Sequence, residues 1–235
     1  MFPVYLKIGL CATSGGPATP ELEAAALPVD CPRRGPKGVP VGPEVHIISN
    51  TMLAPGDVLR QATHDDIRDL EALIALSARA LGMGDYSSAQ IEGALRSAFG
   101  VDTQLIQDGT LFVVEHDGRL VGCGGWSRRR TLFGGDARAD RDSTELDPRR
   151  DGAKIRAFFV HPDSSRRGIG TAILDHCERD AMSHGFTRFE LMATLSGVRL
   201  YVTRGYAPGA PIRWPLGDGL TIDFVPMTKQ AVPSE

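Results

Sequence analysis

The sequence predicts an α/β or α+β domain built on one mixed sheet. Three observations carry that expectation. Two apolar runs in "LFVVEHDGRLVGCGGW" flank Asp117-Gly118, a dipeptide that closes tight hairpins. Amphipathic helical spacing precedes them, and a strand–loop–helix–strand unit follows, from "KIRAFFVHP" to "TRFELMA". Strands therefore dominate both ends of a pattern whose centre is a crossover.

The elements follow in order. "DVLRQAT" reads as a short strand, and "THDD" as a capping box with Thr63 at the N-cap and Asp66 reaching back. Ile67, Leu70, Ile74 and Leu81 then share one helical face. "SSAQIEGALRSAFG" is a second helix ending at Gly100, and the hairpin comes next. Residues 128–150 are charged and irregular. "KIRAFFVHP" is a strand that Pro162 terminates. After a glycine loop, a helix runs to His184 and is closed by Gly185. "TRFELMA" is a strand, "GVRLYVTRGY" a short helix and "LTIDFVPM" the last strand, with no internal repeat.

Composition changes near residue 56. The preceding "SGGPATPELEAAALPVDCPRRGPKGVPVGP" is rich in proline and glycine and has no lasting period. Each proline removes a backbone donor and fixes φ. Residues 1–55 therefore read as a disordered leader, and residues 56–230 as the domain. Met52 stands just before the regular pattern, so an over-extended gene start is one expectation and a regulatory or partner-binding tail the other.

The chain has 235 residues, 42% of them hydrophobic, and a formal charge of −3. No basic field argues for nucleic acid. No apolar run is long enough to span a membrane, and the mildly apolar first residues lack a basic start. Cys11, Cys31, Cys123 and Cys177 are scattered without a CxxC pair, so neither a metal site nor a disulfide framework is expected. A reduced, cytoplasmic setting is the simplest reading.

The chemistry concentrates in "SSRRGIGTAIL", residues 164–174. Gly168 and Gly170 let the backbone turn and leave room for a ligand. The amides of Arg167 to Thr171 open a helix, where unpaired N–H groups and the dipole favour an anion. Arg166 and Arg167 add positive charge. A phosphate or pyrophosphate fits; a plain strand–helix turn is the alternative. The loop lacks the lysine of GxxxxGK[ST] and the third glycine of GxGxxG.

"FFVHPDSSRRGIGTAIL" followed by "ELMATLSGVRLYVTRGY" resembles the GNAT superfamily of acetyl-CoA-dependent N-acyltransferases. The family loop, Q/R-x-x-G-x-G/A, follows a strand ending in V-x-P, and a later segment reads like FYxxxGF, matched from Leu200 to Tyr206. The resemblance spans about residues 57 to 228 and includes a subgroup carrying "GGWSRRRTLFGGD", whose acceptors it does not name. Two positions depart from the pattern. Ser165 stands at the first loop position, and Thr194 where the family has an Asn seven residues before the Tyr.

The resemblance implies a single domain with a mixed, mostly antiparallel sheet flanked by helices and split by splayed central strands. It implies that the amides of Phe158, Phe159 and Val160 pair with the pantetheine arm. One of them also meets the thioester oxygen. Arg166, Arg167, Gly168, Ile169, Gly170 and Thr171 hold the pyrophosphate, with Thr194 on the arm. Tyr201 matches the general acid that protonates the departing thiolate. Coenzyme A enters as co-substrate, no metal is implied, and transfer is direct.

Other residues carry two readings. Tyr201 has a plainer reading as a core residue with a satisfied hydroxyl, and Tyr206 reads as packing. His161, at a strand end, and Glu190, on the next strand, are candidate bases, with water as the alternative. Arg128, Arg129 and Arg130 could bind an acidic acceptor, though a charge run is more often a solvated face. Cys177 shares a helix row with Ile169, Ile173 and Ala181 and belongs in the core, and Cys123 is a buried strand residue. The expected activity is acetyl transfer to a small-molecule or peptide amine. A non-catalytic coenzyme A sensor and an unrelated phosphate-ligand protein stay open, as does a homodimer.

Overall fold

The computed structural model describes residues 47–48, 53–138 and 141–231. Its first strand, β1 (Ile47–Ile48), pairs antiparallel with β2 (Asp57–Gln61). β1 lies within the stretch assigned from composition to the leader, so sheet pairing starts upstream of residue 55. A two-residue run among prolines has no period to read. Residues 1–46 and 49–52 of the leader, including the start considered at Met52, fall outside the described residues.

Asp66 accepts from the Thr63 amide at 2.7 Å, and this box opens a single 3₁₀ turn before α1 (Ile67–Gly82). α1 buries Leu70, Leu73, Ile74 and Ala78 along one face, with Ser77 among them. α2 (Ser88–Ser97) is capped by Ser87, and α3 (Thr103–Gln107) is a five-residue helix too short for the sequence pattern to reveal. β3 (Leu111–His116) and β4 (Arg119–Ser127) form the expected hairpin about Asp117-Gly118. β5 (Ala153–Val160), α4 (Ile169–Ser183), β6 (Arg188–Thr194) and α5 (Val198–Thr203) complete the central unit.

Two further strands went unread in the sequence. β7 (Ala207–Pro208) and β8 (Ile212–Gly217) both pair with β9 (Leu220–Gln230). β8 contains Pro215, and its side chains are largely exposed. An edge strand tolerates proline because the missing donor faces no partner.

The sheet runs β1-β2-β3-β4-β5-β6-β9-β7, with β8 also on β9. Every pairing is antiparallel except β5 with β6. That parallel pairing covers only Ala153↔Phe189, Lys154↔Glu190 and Ile155↔Leu191. Beyond Ile155 the two strands separate. A bulge accompanies the separation: Arg156 faces Gly125 and Phe159 faces Cys123, so Ala157 and Phe158 share one position opposite Gly124. Ala157 takes φ +61, a conformation that costs a non-glycine residue energy. The extra residue bends β5 where it parts from β6.

α4 is seated on β4 by missing side chains. A Cβ on Gly122 would lie 2.5 Å from Ile169 Cγ2, and one on Gly124 2.8 Å from Ile173 Cγ2 and from the Phe158 ring. The helix therefore packs on bare backbone, with Ile169, Ile173, Cys177 and Ala181 wholly buried beneath it. This contact sets where the N-terminus of α4 stands relative to the split in the sheet. The described residues among 128–150 are mostly irregular, with an isolated bridge between Arg129 and Glu145.

Candidate functional site

A cleft of about 670 Å³ opens where β5 and β6 separate. One end is lined by the loop before α4, with Ser165, Arg166, Gly168 and Thr171, and by α5 with Tyr201. The other end is lined by the end of α1, by Phe99 and by Phe133 to Gly135. β5 forms the floor between them from Ile155 to Val160.

Gly168 is the N-cap of α4 with φ +86, a left-handed conformation that serves the tight turn expected there. Arg166 also has positive φ, at +65, and its exposed side chain lines the cleft. A Cβ on Gly170 would press on Leu200 Cδ2 at 3.3 Å, so this glycine admits α5 against the loop. The loop thus presents one cationic side chain and the start of a fifteen-residue helix to the cleft. An anionic group fits this end.

Arg167 does not join it. Its guanidinium turns to Asp57 at 3.6 Å, and it is not among the cleft-lining residues. Asp57 is fully buried and also lies 2.7 Å from His116. A buried carboxylate is costly without cationic partners, and Arg167 is drawn to it.

The β5 amides divide. The Val160 amide donates to Ser77 Oγ at 3.2 Å, so that donor is occupied from α1. The His161 amide donates back to Val121 in β4. Ser77 is buried to 4% exposure, and the Val160 amide is the one hydrogen-bond partner of its side-chain hydroxyl among the described residues. It escaped the sequence reading, yet its signal was there: a hydroxyl on the otherwise apolar row of α1.

Tyr201 lines the cleft and is 7% exposed. Its ring meets Phe158 at 6.1 Å and Tyr206 at 5.7 Å between centroids. Burial, reinforced by the nearby Cys177, holds the hydroxyl well above the usual tyrosine range. It therefore keeps its proton at neutral pH. Tyr206 is 2% exposed and packs behind Tyr201, as expected of a structural ring. Thr194 lines the cleft and caps the turn Leu195–Gly197, accepting from the Gly197 amide at 3.2 Å.

The two candidate bases stand outside. Glu190 is clamped by Lys154 Nζ at 2.6 Å and by Arg188 at 3.2 Å, and it lines no part of the cleft. The parallel register that ends at Ile155 sets Lys154 directly beside it. His161 accepts through Nδ1 from the Asp163 amide at 3.2 Å, capping the turn Pro162–Ser164, and it too is absent from the lining. Arg129 binds Asp108 in two places at 2.8 and 2.9 Å, and Arg128 and Arg130 make longer pairs with Glu145 and Asp142. Cys177 is buried, and burial pushes the equally buried Cys123 thiol up to about 12.

Arg156 is a second residue the sequence did not single out. Its side chain is 3% exposed and meets Asp102 at 2.5 Å. It donates to the Thr131 carbonyl at 2.7 Å and to the Gly134 carbonyl. One buried cation thus ties the irregular segment 131–134 to the cleft floor. Burial, offset in part by Asp102, lowers its pKa to about 10, still far above neutrality. Among the described residues no three His, Cys, Asp or Glu side chains gather as a metal site, and no helix is long and apolar enough to cross a membrane.

A central sheet opened by a bulged strand, with a glycine-capped helix start at the opening, is the arrangement that the sequence resemblance implied. The chain belongs to the acetyltransferase (GNAT) family, whose model matches residues 80–206. Solved structures that resemble it include the following two. The GCN5-related N-acetyltransferase "Aminotransferase, Class-II" from Rhodopseudomonas palustris is 20% identical with a TM-score of 0.56, over 77% of this chain and 99% of that one. The PaiA N-acetyltransferase from Thermoplasma acidophilum, solved in complex with coenzyme A, is 16% identical with a TM-score of 0.51, over 74% and 98%. Among curated proteins, none matches the chain in sequence.

Proposed function

We propose that this chain transfers an acetyl group from acetyl-CoA to the primary amine of a small molecule or peptide, by direct attack in a ternary complex. The observation that carries this reading is a single cleft shared by the Gly168 loop, the parted edge of β5 and Tyr201. Family membership supports the donor, and the Thermoplasma relative was solved with coenzyme A.

The residues divide the work. The α4 N-terminus and Arg166 hold the pyrophosphate. The separated strands leave room for an extended arm, with Thr194 alongside. A β5 amide polarises the thioester carbonyl as charge builds on its oxygen. Bound acetyl-CoA supplies the activated acyl group. Tyr201, held neutral by burial, gives its proton to the departing sulfur. With Glu190 and His161 engaged elsewhere, the proton lost by the amine passes to water.

A thiol-release assay with acetyl-CoA across amines and peptides tests this reading, alongside calorimetry of acetyl-CoA. Amine-dependent release is expected. Binding without release on every amine would favour a sensor. Tighter binding of a free nucleotide would favour a different phosphate ligand.

A further inference from the structure

We infer that the acceptor is an apolar aromatic amine of low basicity, one that enters the cleft already unprotonated. The inference rests on the transfer reading above and concerns the end of the cleft away from the Gly168 loop.

That end is walled by rings. Phe133 meets Phe224 at 5.4 Å, Phe224 meets Phe99 at 6.2 Å, and Phe99 meets Phe159 at 5.7 Å between centroids. All four line the cleft, and the last stands on β5, where the thioester is to be held. Phe99, Phe133 and Phe159 are only partly buried, so their apolar surface is available to a ligand. Leu81, Ile91 and Met192 complete the wall. A flat apolar acceptor gains burial and ring–ring contact against such a surface.

Charge points the same way. Among the described residues that line the cleft there is no Asp, Glu or His. Its charged lining residues are Arg156, Arg166 and Arg199, all cations. Arg138 lies 4.6 Å from the Phe133 centroid and 4.7 Å from that of Trp214, so a guanidinium already occupies a face of this aromatic cluster. The other titratable group at this end is Tyr86. Its hydroxyl donates to the Asp223 carbonyl and accepts from the Leu195 amide, and burial raises its pKa to about 12. The Asp223 carboxylate turns to Arg213. Arg156 is already neutralised by Asp102, and Arg166 and Arg199 stand by the Gly168 loop and on α5. An alkylammonium at this end would therefore meet apolar surface and the Arg138 guanidinium, with no lining carboxylate to pair it and no side-chain base to deprotonate it.

This matters because only the neutral amine attacks. An alkylamine with a basicity like that of lysine is neutral in roughly one molecule in 10³ at pH 7. An arylamine is neutral there almost completely. In the step, the nitrogen lone pair forms the N–C bond to the acetyl carbon and the C–S bond breaks. Sulfur takes the Tyr201 proton, the new ammonium loses its proton to water, and solvent restores the tyrosine.

The test compares aniline with cyclohexylamine, which share a six-carbon ring, together with spermidine and a lysine-rich peptide, on the full chain with acetyl-CoA. Expected at pH 7 is a kcat/KM for aniline at least tenfold above each of the others. It should stay flat from pH 6 to 8.5, while any cyclohexylamine rate rises with pH. Phe133→Ala should raise the aniline KM several-fold and leave the acetyl-CoA KM unchanged. A ratio below tenfold, or an aniline KM indifferent to Phe133→Ala, overturns the inference and leaves acetyl transfer standing. Thiol release with none of the amines, despite acetyl-CoA binding, overturns the transfer reading and this inference together.

Discussion

Ser77 Oγ accepts a hydrogen bond from the Val160 amide at 3.2 Å, tying α1 to the last residue of the parted strand β5. Ser77→Ala leaves that amide without a partner in a buried setting. An unpaired buried donor costs about 1–3 kcal/mol, and denaturant unfolding of the ligand-free protein should register it. Acetyl-CoA binding should then raise the melting temperature more than in the native chain, because an arm carbonyl can take the freed amide. Equal ligand shifts in the two proteins would mean that the Val160 amide never meets the donor.

Gly168 holds φ +86 at the start of α4. Gly168→Val places a β-branched side chain in the left-handed region, at a strain of about 1–3 kcal/mol. Relief of that strain turns the loop amides away from the cleft. The Kd for acetyl-CoA should rise at least tenfold by calorimetry, about 1.4 kcal/mol. Gly168→Ala should lie between the two.

Tyr201→Phe keeps the ring contacts with Phe158 and Tyr206 and removes only the hydroxyl. The expected loss in kcat is about 10²-fold, the low end for a positioned acid, because thiolate already leaves fairly well. The KM for acetyl-CoA should hardly change. Burial raises the pKa of this hydroxyl, so its acid form persists above pH 10 and the rate should show no alkaline fall from Tyr201 below that point. The same sign applies to stability. The unfolded chain ionises first, so this tyrosine's contribution is intact below about pH 10 and declines as pH rises further. Steady-state rates across pH for both proteins check the pair of statements.

His161→Gln and Glu190→Gln should retain kcat within about twofold of native at saturating acceptor, since neither residue lines the cleft. Glu190→Gln should nevertheless lower stability by about 1–3 kcal/mol, because Lys154 Nζ, 2.6 Å from the carboxylate, loses its charge partner. A large kcat loss in either variant, with the melting curve intact, would return that residue to the chemistry.

Much of the fold was legible because its rules are local. Asp117-Gly118 closes the β3–β4 hairpin through its own dihedral preferences. The row Ile169, Ile173, Cys177, Ala181 marks the buried face of α4 through helical period alone. Gly168 marked a tight turn at the start of a helix, which the structure makes a left-handed N-cap, and the spacing around Tyr201 set that residue on a short helix. β8 was not legible, since Pro215 argues against a strand until an edge position excuses it.

What only the tertiary structure decided is where side chains of known type point. Arg167 and Arg166 are neighbours of equal charge, yet a buried carboxylate from β2, Asp57, draws one away while the other lines the cleft. Glu190 became an ion-pair partner because the parallel register sets Lys154 beside it. The aromatic wall joins Phe99, Phe133, Phe159 and Phe224 from four separate stretches of chain. Sequence determines a residue's chemistry and its local backbone. Its partner depends on strand register and on which elements pack together, and both are settled by contacts between residues tens of positions apart.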